Sequence, residues 1–221
     1  MNDAQPGLPA FPFGPAIGPV MCVVGARPNF MKIAPILRAL AAHRPPLPAL
    51  LVHTGQHYDA SMSDRLFADL NLPQPDLNLE VGSASHAVQT AEVMKRFEPA
   101  LDAHQPSCVL VVGDVNSTLA CTLVAVKKGV PVVHVEAGLR SYDRSMPEEI
   151  NRVLTDQVAD RLYTTERSAA ANLQREGVAA ERIVFTGNVM IDSLLACREH
   201  ARPAAATLQA HDIDPALLAH P

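Results

Sequence analysis

The sequence predicts an α/β domain that is built on a doubly wound parallel sheet. Short apolar runs alternate along the chain with segments in which apolar residues recur at helical spacing. The apolar runs are continuous rather than alternating, which is typical of strands that helices cover on both faces. Because sheets of this class bind ligands beyond the carboxyl ends of their strands, the residues just after each run are the candidate site.

The elements follow in order from this alternation. Val20 to Val24 is an apolar run that stops at Gly25 and predicts the first strand. The next segment, 29–42, carries apolar residues at helical spacing and predicts the first helix. Further strands are predicted at 47–53, 109–112, 130–135, 161–164 and 183–185. Further helices are predicted at 61–70, 85–104, 117–128, 148–158, 168–176 and 189–199.

Composition limits the functional classes. The chain has 221 residues, of which 48% are hydrophobic and 19% are charged, so it can bury a core. A net charge of −5 argues against a nucleic-acid-binding surface, which favours basic residues. No apolar run reaches the roughly 18 residues of a membrane span. Residues 1–19 are rich in Pro and Gly without Lys or Arg, which predicts a disordered leader rather than a secretory signal. The cytoplasm is the expected location.

The four cysteines are Cys22, Cys108, Cys121 and Cys197. None belongs to a CxxC pair, and three of them lie in apolar runs. This pattern favours buried, reduced thiols over a metal site or disulfides.

The segment after the first strand is a candidate anion site. Gly25 permits a tight turn, and Pro28 suits the first position of the following helix, whose free amides favour an anion. Arg27 and Lys32 could together hold a diphosphate, because Arg offers a fork of donors. The same spacing also fits a surface Arg and Lys near a helix start. The segment lacks the GxGxxG pattern of NAD-binding proteins.

Two carboxylates follow successive apolar runs. Asp114 comes after the strand at 109–112, and Glu136 comes directly after the strand at 130–135. If these strands are neighbours, their ends lie about 4.8 Å apart and both carboxylates project into one crevice. Glu136 follows an apolar run and precedes small residues, so partial desolvation would suit it to proton transfer.

Each carboxylate also has a plainer interpretation. Asp114 could cap the following helix, although Asn116 and Ser117 compete for that role. His134 and Glu136 form the H-x-E pattern of zinc deaminases, but the PCxxC partner of that pattern is missing.

A third carboxylate stands at a predicted helix start. Pro147 is followed by Glu148 and Glu149, and acids at a helix start are often there only for the helix dipole. The polar segment 141–145 before them is long enough to arch over the strand ends and carry Glu148 towards the site.

Six strings in this order resemble the non-hydrolysing UDP-N-acetylglucosamine 2-epimerases. They are GARPNFMKIAP at 25–35, TGQHYD at 54–59, GDVNSTLA at 113–120, HVEAGLRS at 134–141, MPEEINR at 146–152 and TGNVMID at 186–192. Each string is weak alone, but the ordered set is specific. The resemblance covers the chain from residue 20 to about 200.

The resemblance implies a fold and an activity. The family has the GT-B architecture, in which two Rossmann-like domains hold the substrate between them, and this chain matches the N-terminal one. Members reversibly invert C2 of UDP-N-acetylglucosamine to give UDP-N-acetylmannosamine. The reaction resembles an elimination of UDP to a 2-acetamidoglucal followed by re-addition from the other face, and it needs no NAD and no metal.

The resemblance also assigns roles by position. Asp114, Glu136 and Glu148 match the catalytic carboxylates, although which of them acts as base on each face stays open. Arg27 and Lys32 match residues that contact the diphosphate or organise the site.

Two further residues and the assembly follow from the same match. Gln56 and His57 match a loop that in bacterial members helps to bind a second, activating UDP-N-acetylglucosamine. Family members are usually homodimers through this domain.

The resemblance stops before the end of the family pattern. We expect residues 20–200 to form the N-terminal domain and residues 201–221 to form an Ala- and Pro-containing tail. The family's second domain supplies most of the uridine pocket, and no string of it occurs here. The chain is therefore expected to be truncated and to have negligible epimerase activity alone, unless a separate chain carries the second domain.

Three alternative functions stay open on the sequence. A hydrolysing 2-epimerase shares most of these strings but releases UDP and free N-acetylmannosamine. A GT-B glycosyltransferase would need an acceptor and fits the paired strand-end carboxylates less well. A non-catalytic fragment would fold, and perhaps dimerise, without chemistry.

Overall fold

The structure is a computed structural model that describes residues 18–55, 67, 69–198 and 200–214. Three sequence-based predictions fall wholly or largely outside these residues. They are the leader at 1–19, apart from its last two residues, the helix at 61–70, and the activating-ligand pair Gln56 and His57.

Seven strands and seven α-helices account for most of the described residues. The strands are β1 (Val20–Val24), β2 (Ala49–His53), β3 (Leu77–Asn78), β4 (Cys108–Val112), β5 (Val132–Val135), β6 (Arg161–Thr164) and β7 (Ile183–Phe185). The helices are α1 (Arg27–Ala42), α2 (His86–His104), α3 (Asn116–Lys127), α4 (Pro147–Val158), α5 (Arg167–Arg175), α6 (Val189–Arg198) and α7 (Ala204–Ala210). A 3₁₀ turn at Ala180–Arg182 precedes β7.

The strands form one parallel sheet in the order β3-β2-β1-β4-β5-β6-β7. This confirms the doubly wound α/β class. The strand order reverses between β1 and β4, and such a switch point opens a crevice at the carboxyl ends of the strands. The β4 and β5 strands are neighbours, with Val112 paired to Val135. The ends of β1, β4 and β5 therefore meet at the crevice.

Helices cover both faces of the sheet, and the alternation within β1 shows how. Met21 and Val23 point into a core that includes Phe97 of α2 and Leu173 of α5. Cys22 and the other alternate residues of β1 point into a second core with α1 and α6. The central strands β1 and β4 are thus apolar on both faces, which explains their continuous apolar runs.

The structure adds two elements to the sequence prediction. The strand β3 is only two residues long, which is too short to give an apolar run. Helix α7 lies in the predicted tail and has no buried residue, so no apolar periodicity marks it. Among the described residues, no helix is long and apolar enough to cross a membrane.

Candidate active site

Asn29 fixes the turn between β1 and α1. Its side-chain oxygen accepts hydrogen bonds from the amides of Gly25 and Ala26, both at 3.0 Å. Its side-chain nitrogen donates to the carbonyl of Val112 at the end of β4, at 3.1 Å. This buried residue therefore ties the start of α1 to the neighbouring strand end. The sequence prediction did not single it out, because a single Asn after a glycine turn carries no distinctive signal.

The two predicted cations after β1 have different environments. Arg27 is exposed and has no hydrogen-bond or ion-pair partner among the described residues. Lys32 is largely buried and forms a direct ion pair with Glu136, so helix α1 and the end of β5 meet here. The side chains of Lys32 and Glu136 are 10% and 15% exposed. The structure thus gives Glu136 a cationic partner in addition to the partial burial expected from the sequence.

Gly113 sits between these groups. Its φ is +68°, and a β-carbon at this position would lie 3.0 Å from Lys32 Nζ and 3.4 Å from Glu136 Oε2. Only glycine combines that backbone conformation with so close an approach. The end of β4 therefore touches the Lys32–Glu136 pair, and Asp114 is the next residue.

Asp114 does not cap the following helix. Helix α3 begins after Val115, which makes no side-chain capping bond. The Asp114 carboxylate instead forms an ion pair with Arg152 of α4, and its carbonyl accepts a hydrogen bond from Asn151 at 2.9 Å. The structure excludes the capping interpretation and adds Arg152, which the sequence prediction did not assign to the site.

The two acids at the start of α4 have different environments. Glu149 is buried and accepts hydrogen bonds from the amides of Ser141 and Tyr142, both at 3.0 Å, and it also contacts Arg152 at 3.1 Å. Burial opposes ionisation of Glu149, but these donors outweigh it and lower the pKa. Glu149 therefore holds the arch before α4 in place.

Glu148 is half-buried in the same first turn and has no hydrogen-bond or ion-pair partner among the described residues. Its helix contacts Asp114 through Asn151 and Arg152. The carboxylate is thus uncommitted at the edge of the site, which fits the role predicted from the sequence.

A buried ionic network lies under the site. Asp156 Oδ1 is 2.7 Å from His134 Nδ1, and its Oδ2 contacts Arg140 at 2.7 Å. Arg140 in turn pairs with Glu176 at 2.6 Å. Burial opposes ionisation of Asp156, but the charges and hydrogen bonds of His134 and Arg140 outweigh it and lower the pKa.

A polar cluster lines the other side of Asp114. Asn116 donates to Gln89 at 2.8 Å and accepts from Asn151 at 3.2 Å. The His86 ring lies 3.1 Å from the Asn116 amide. Asn116, Gln89 and Asn151 are buried, so this cluster fixes the start of α3 against α2 and α4.

Cys22, Cys108 and Cys121 are buried and Cys197 is partly buried, all as free thiols. Burial raises the pKa of the Cys108 thiol to about 11. The prediction of buried thiols in apolar runs is confirmed. Within the described ranges, no three His, Cys, Asp or Glu side chains are grouped closely enough to hold a metal ion.

Comparison with known proteins gives a consistent set of relatives. The family model described as UDP-N-acetylglucosamine 2-epimerase matches residues 39–220. A UDP-N-acetylglucosamine 2-epimerase homolog of Methanococcus maripaludis is 47% identical over 80% of this chain and 48% of its own length. A UDP-2,3-diacetamido-2,3-dideoxy-D-glucuronate 2-epimerase of Pseudomonas aeruginosa is 44% identical over 80% of this chain and 50% of its own length.

A solved structure agrees with these sequences. The UDP-GlcNAc 2-epimerase of Methanocaldococcus jannaschii, crystallised with UDP-GlcNAc and UDP, superposes with a TM-score of 0.81 at 40% identity. The match covers 86% of this chain and 53% of that one. The chain therefore spans about half the length of the relatives that it matches.

Proposed function

Because the chain belongs to the UDP-N-acetylglucosamine 2-epimerase family, we propose that its site inverts C2 of UDP-N-acetylglucosamine to give UDP-N-acetylmannosamine. The activity is proposed for the site when a second domain closes over the substrate, because this chain covers only 48% of the length of its Methanococcus maripaludis relative. That domain is either joined to this chain or carried by a separate one.

The proposed reaction is an elimination followed by a re-addition. A carboxylate takes the C2 proton while the C1–O bond breaks and its electron pair leaves with UDP, which forms a 2-acetamidoglucal. UDP oxygen then bonds to C1 again, and a carboxylic acid returns a proton to C2 from the opposite face. The C2–H is a weak acid, so both a positioned base and stabilisation of the departing diphosphate are needed.

The observation that carries this proposal is the meeting of carboxylates from three elements at one sheet edge. Glu136 follows β5 and Asp114 follows β4, and a β-carbon at Gly113, the residue before Asp114, would lie 3.0 Å from Lys32 Nζ and 3.4 Å from Glu136 Oε2. Glu148 stands in the first turn of α4, the helix that contacts Asp114. Two faces of a sugar ring need two proton-transfer groups, and this edge offers three.

Lys32 and Arg27 have different roles in the proposed reaction. Lys32 is committed to Glu136 and organises that carboxylate. Arg27 is exposed at the start of α1 without a partner among the described residues, so it is the group that we assign to the departing diphosphate. The amides at the helix start would add to that stabilisation.

Product analysis tests this function. The chain, supplied with the C-terminal half of a relative, is incubated with UDP-N-acetylglucosamine and the products are followed by proton NMR. We expect UDP-N-acetylmannosamine. Free N-acetylmannosamine together with UDP would identify a hydrolysing enzyme, and unchanged substrate would contradict the proposal.

A second substrate is also supported. The relative from Pseudomonas aeruginosa is named for UDP-2,3-diacetamido-2,3-dideoxy-D-glucuronate, and at 44% it is as similar as the Methanocaldococcus jannaschii epimerase. The same chemistry at C2 would apply to that sugar. Running both substrates in the product assay decides between them.

We also propose that the chain forms a homodimer through helix α4. Ile150, Leu154 and Val158 recur every four residues on α4 and are 41%, 44% and 37% exposed. Such an apolar stripe on a polar-sided helix is typical of an interface.

We also propose that the protein is located in the cytoplasm. The free thiols support this location, because a reducing compartment keeps cysteines unpaired.

A further inference from the structure

His134 is a buried residue that the proposed reaction does not use. It lies in β5, two residues before Glu136, and its side chain is 0% exposed. Its Nδ1 is 2.7 Å from Asp156 Oδ1, and its Nε2 is 2.8 Å from the carbonyl oxygen of Gly113. The ring therefore connects α4 to the end of β4, directly beneath the site.

The Gly113 carbonyl needs a donor because the strand pair ends there. The Gly113 amide still donates to β5, at 3.1 Å. In a regular parallel ladder, the Ala137 amide would be the next donor to the Gly113 carbonyl. The backbone instead turns at Glu136, with a φ of +72°, and the Ala137 amide donates to the Tyr163 carbonyl at 3.1 Å. The His134 Nε2 takes the position of the missing ladder donor.

The contacts of the ring also define its protons. The Gly113 carbonyl can only accept, so Nε2 carries a hydrogen. Asp156 also accepts from the Gly138 amide at 3.0 Å and from Arg140 at 2.7 Å, contacts that favour the ionised carboxylate. An ionised carboxylate only accepts, so Nδ1 of His134 also carries a hydrogen. Both ring nitrogens thus face acceptors, which is the arrangement that suits an imidazolium.

The surrounding charges balance this buried cation. Asp156 on α4 faces the ring, Arg140 contacts the same carboxylate, and Glu176 pairs with Arg140 at 2.6 Å. Two cations thus alternate with two carboxylates. Such pairing is what allows a buried charge to persist.

We infer that His134 is a positioning residue whose protonated ring replaces the lost ladder bond and fixes the Gly113–Asp114 strand end against Glu136. The inference deepens the proposed function, because the distance between two of the proposed catalytic carboxylates depends on this contact. The proton state and the strand-end contact do not depend on that function.

The first test is NMR of the ¹⁵N-labelled chain near neutral pH. The chain has nine histidines, so the His134 signals are assigned by their loss in His134→Gln. We expect both ring nitrogens to show the similar shifts of an imidazolium. The widely separated shifts of a neutral tautomer would overturn the inference, whether or not the chain is active.

The second test uses two substitutions that each keep one contact. The amide nitrogen of Gln reaches the position of Nε2, so His134→Gln keeps the donor to the Gly113 carbonyl. The amide nitrogen of Asn reaches the position of Nδ1, so His134→Asn keeps the donor to Asp156 and loses the strand-end contact. The readouts are the backbone shifts of Gly113 and Asp114, the melting temperature, and kcat and KM in the product assay.

Positioning and simple stabilisation give different patterns. We expect His134→Asn to move the Gly113 and Asp114 signals and to lower kcat by about tenfold or more, with a smaller change in KM. His134→Gln should keep the Gly113 and Asp114 signals and kcat closer to wild type, even if its melting temperature falls further than that of His134→Asn. Equal losses of kcat in both variants, or a loss that follows melting temperature, would overturn the inference.

Discussion

At the scale of single residues, Lys32 of α1 and Glu136 after β5 form a direct ion pair. Both side chains are mostly buried, so removing one partner leaves an uncompensated charge. We expect Lys32→Met and Glu136→Gln each to lower the free energy of unfolding by roughly 2–3 kcal/mol, somewhat less than for a fully buried pair. The double variant should lose less than the sum of the two. Urea unfolding of all four proteins measures this.

The exposed pair Lys95 and Glu92 gives the matched control for that cycle. Its lysine is 69% exposed, so solvent screens the interaction and Lys95→Met should change stability little. Strictly additive losses from Lys32→Met and Glu136→Gln would contradict a direct coupling between the two side chains.

Gly113 offers a second residue-scale prediction. Gly113→Ala must adopt a φ of +68° and place a β-carbon 3.0 Å from Lys32 Nζ. We expect a loss of stability of about 1 kcal/mol from the backbone conformation alone, and a lower kcat because the Lys32–Glu136 pair must move. Thermal unfolding and the product assay, with the C-terminal half of a relative supplied, measure the two effects.

Gly177→Ala separates these effects. Gly177 has a φ of +85° with open space around its β position, so it carries the backbone cost without the contact. If Gly177→Ala lowered kcat as much as Gly113→Ala, the special position of Gly113 would be contradicted.

At the scale of elements, helix α4 links the site to the proposed dimer surface. Its inner side carries Asn151 and Arg152, which contact Asp114, and its outer side carries Leu154, which is 44% exposed. Leu154→Glu should therefore convert a dimer into a monomer, because it places a charge in an apolar contact. Light scattering measures the mass, and Ala171→Glu, at an exposed position of α5, is the control. A wild-type chain that is monomeric would contradict the proposal.

The ionic network beneath α4 predicts how acid affects the fold. The folded pKa of Asp156 lies below its ordinary value, so its stabilisation is complete above the unfolded pKa of about 4 and is lost as pH falls through the folded pKa. Asp156→Asn should make the loss of stability below about pH 4 less steep. Denaturant unfolding across the acidic range measures this slope. The exposed-site control Asp192→Asn should leave the slope unchanged. If Asp156→Asn also left it unchanged, the stabilising role of the Asp156 carboxylate would be contradicted.

At the scale of the whole molecule, the sequence predicts the sheet well because its central strands are apolar on both faces. Six of the seven strands are predicted, and most of the strings that carry the family resemblance lie at the carboxyl ends of these strands. The strand β3 and helix α7 are missing from the prediction because neither buries an apolar run or stripe. The strand order 3-2-1-4-5-6-7 brings the strings that follow β1, β4 and β5 to one crevice, as expected for a doubly wound sheet.

The site is less predictable than the sheet. Asp114 and Glu136 are found because they follow apolar runs, and neighbouring strands bring them together. Arg152, Asn29 and the His134–Asp156 pair are missed because their roles depend on contacts between residues far apart in sequence. A helix-start acid such as Glu149 could be recognised as structural only once the arch at 141–145 was placed against it.

The carboxylates at this sheet edge are proposed to transfer the proton at C2 of a UDP-sugar. The most direct test is incubation with UDP-N-acetylglucosamine in D₂O, with the C-terminal half of the Methanocaldococcus jannaschii relative supplied. The two halves of that relative, recombined, are the positive control. We predict deuterium at C2 of recovered substrate and product, and its loss in Glu136→Gln. If the recombined halves of the relative introduce deuterium at C2 but this chain with the supplied half does not, the proposal is contradicted.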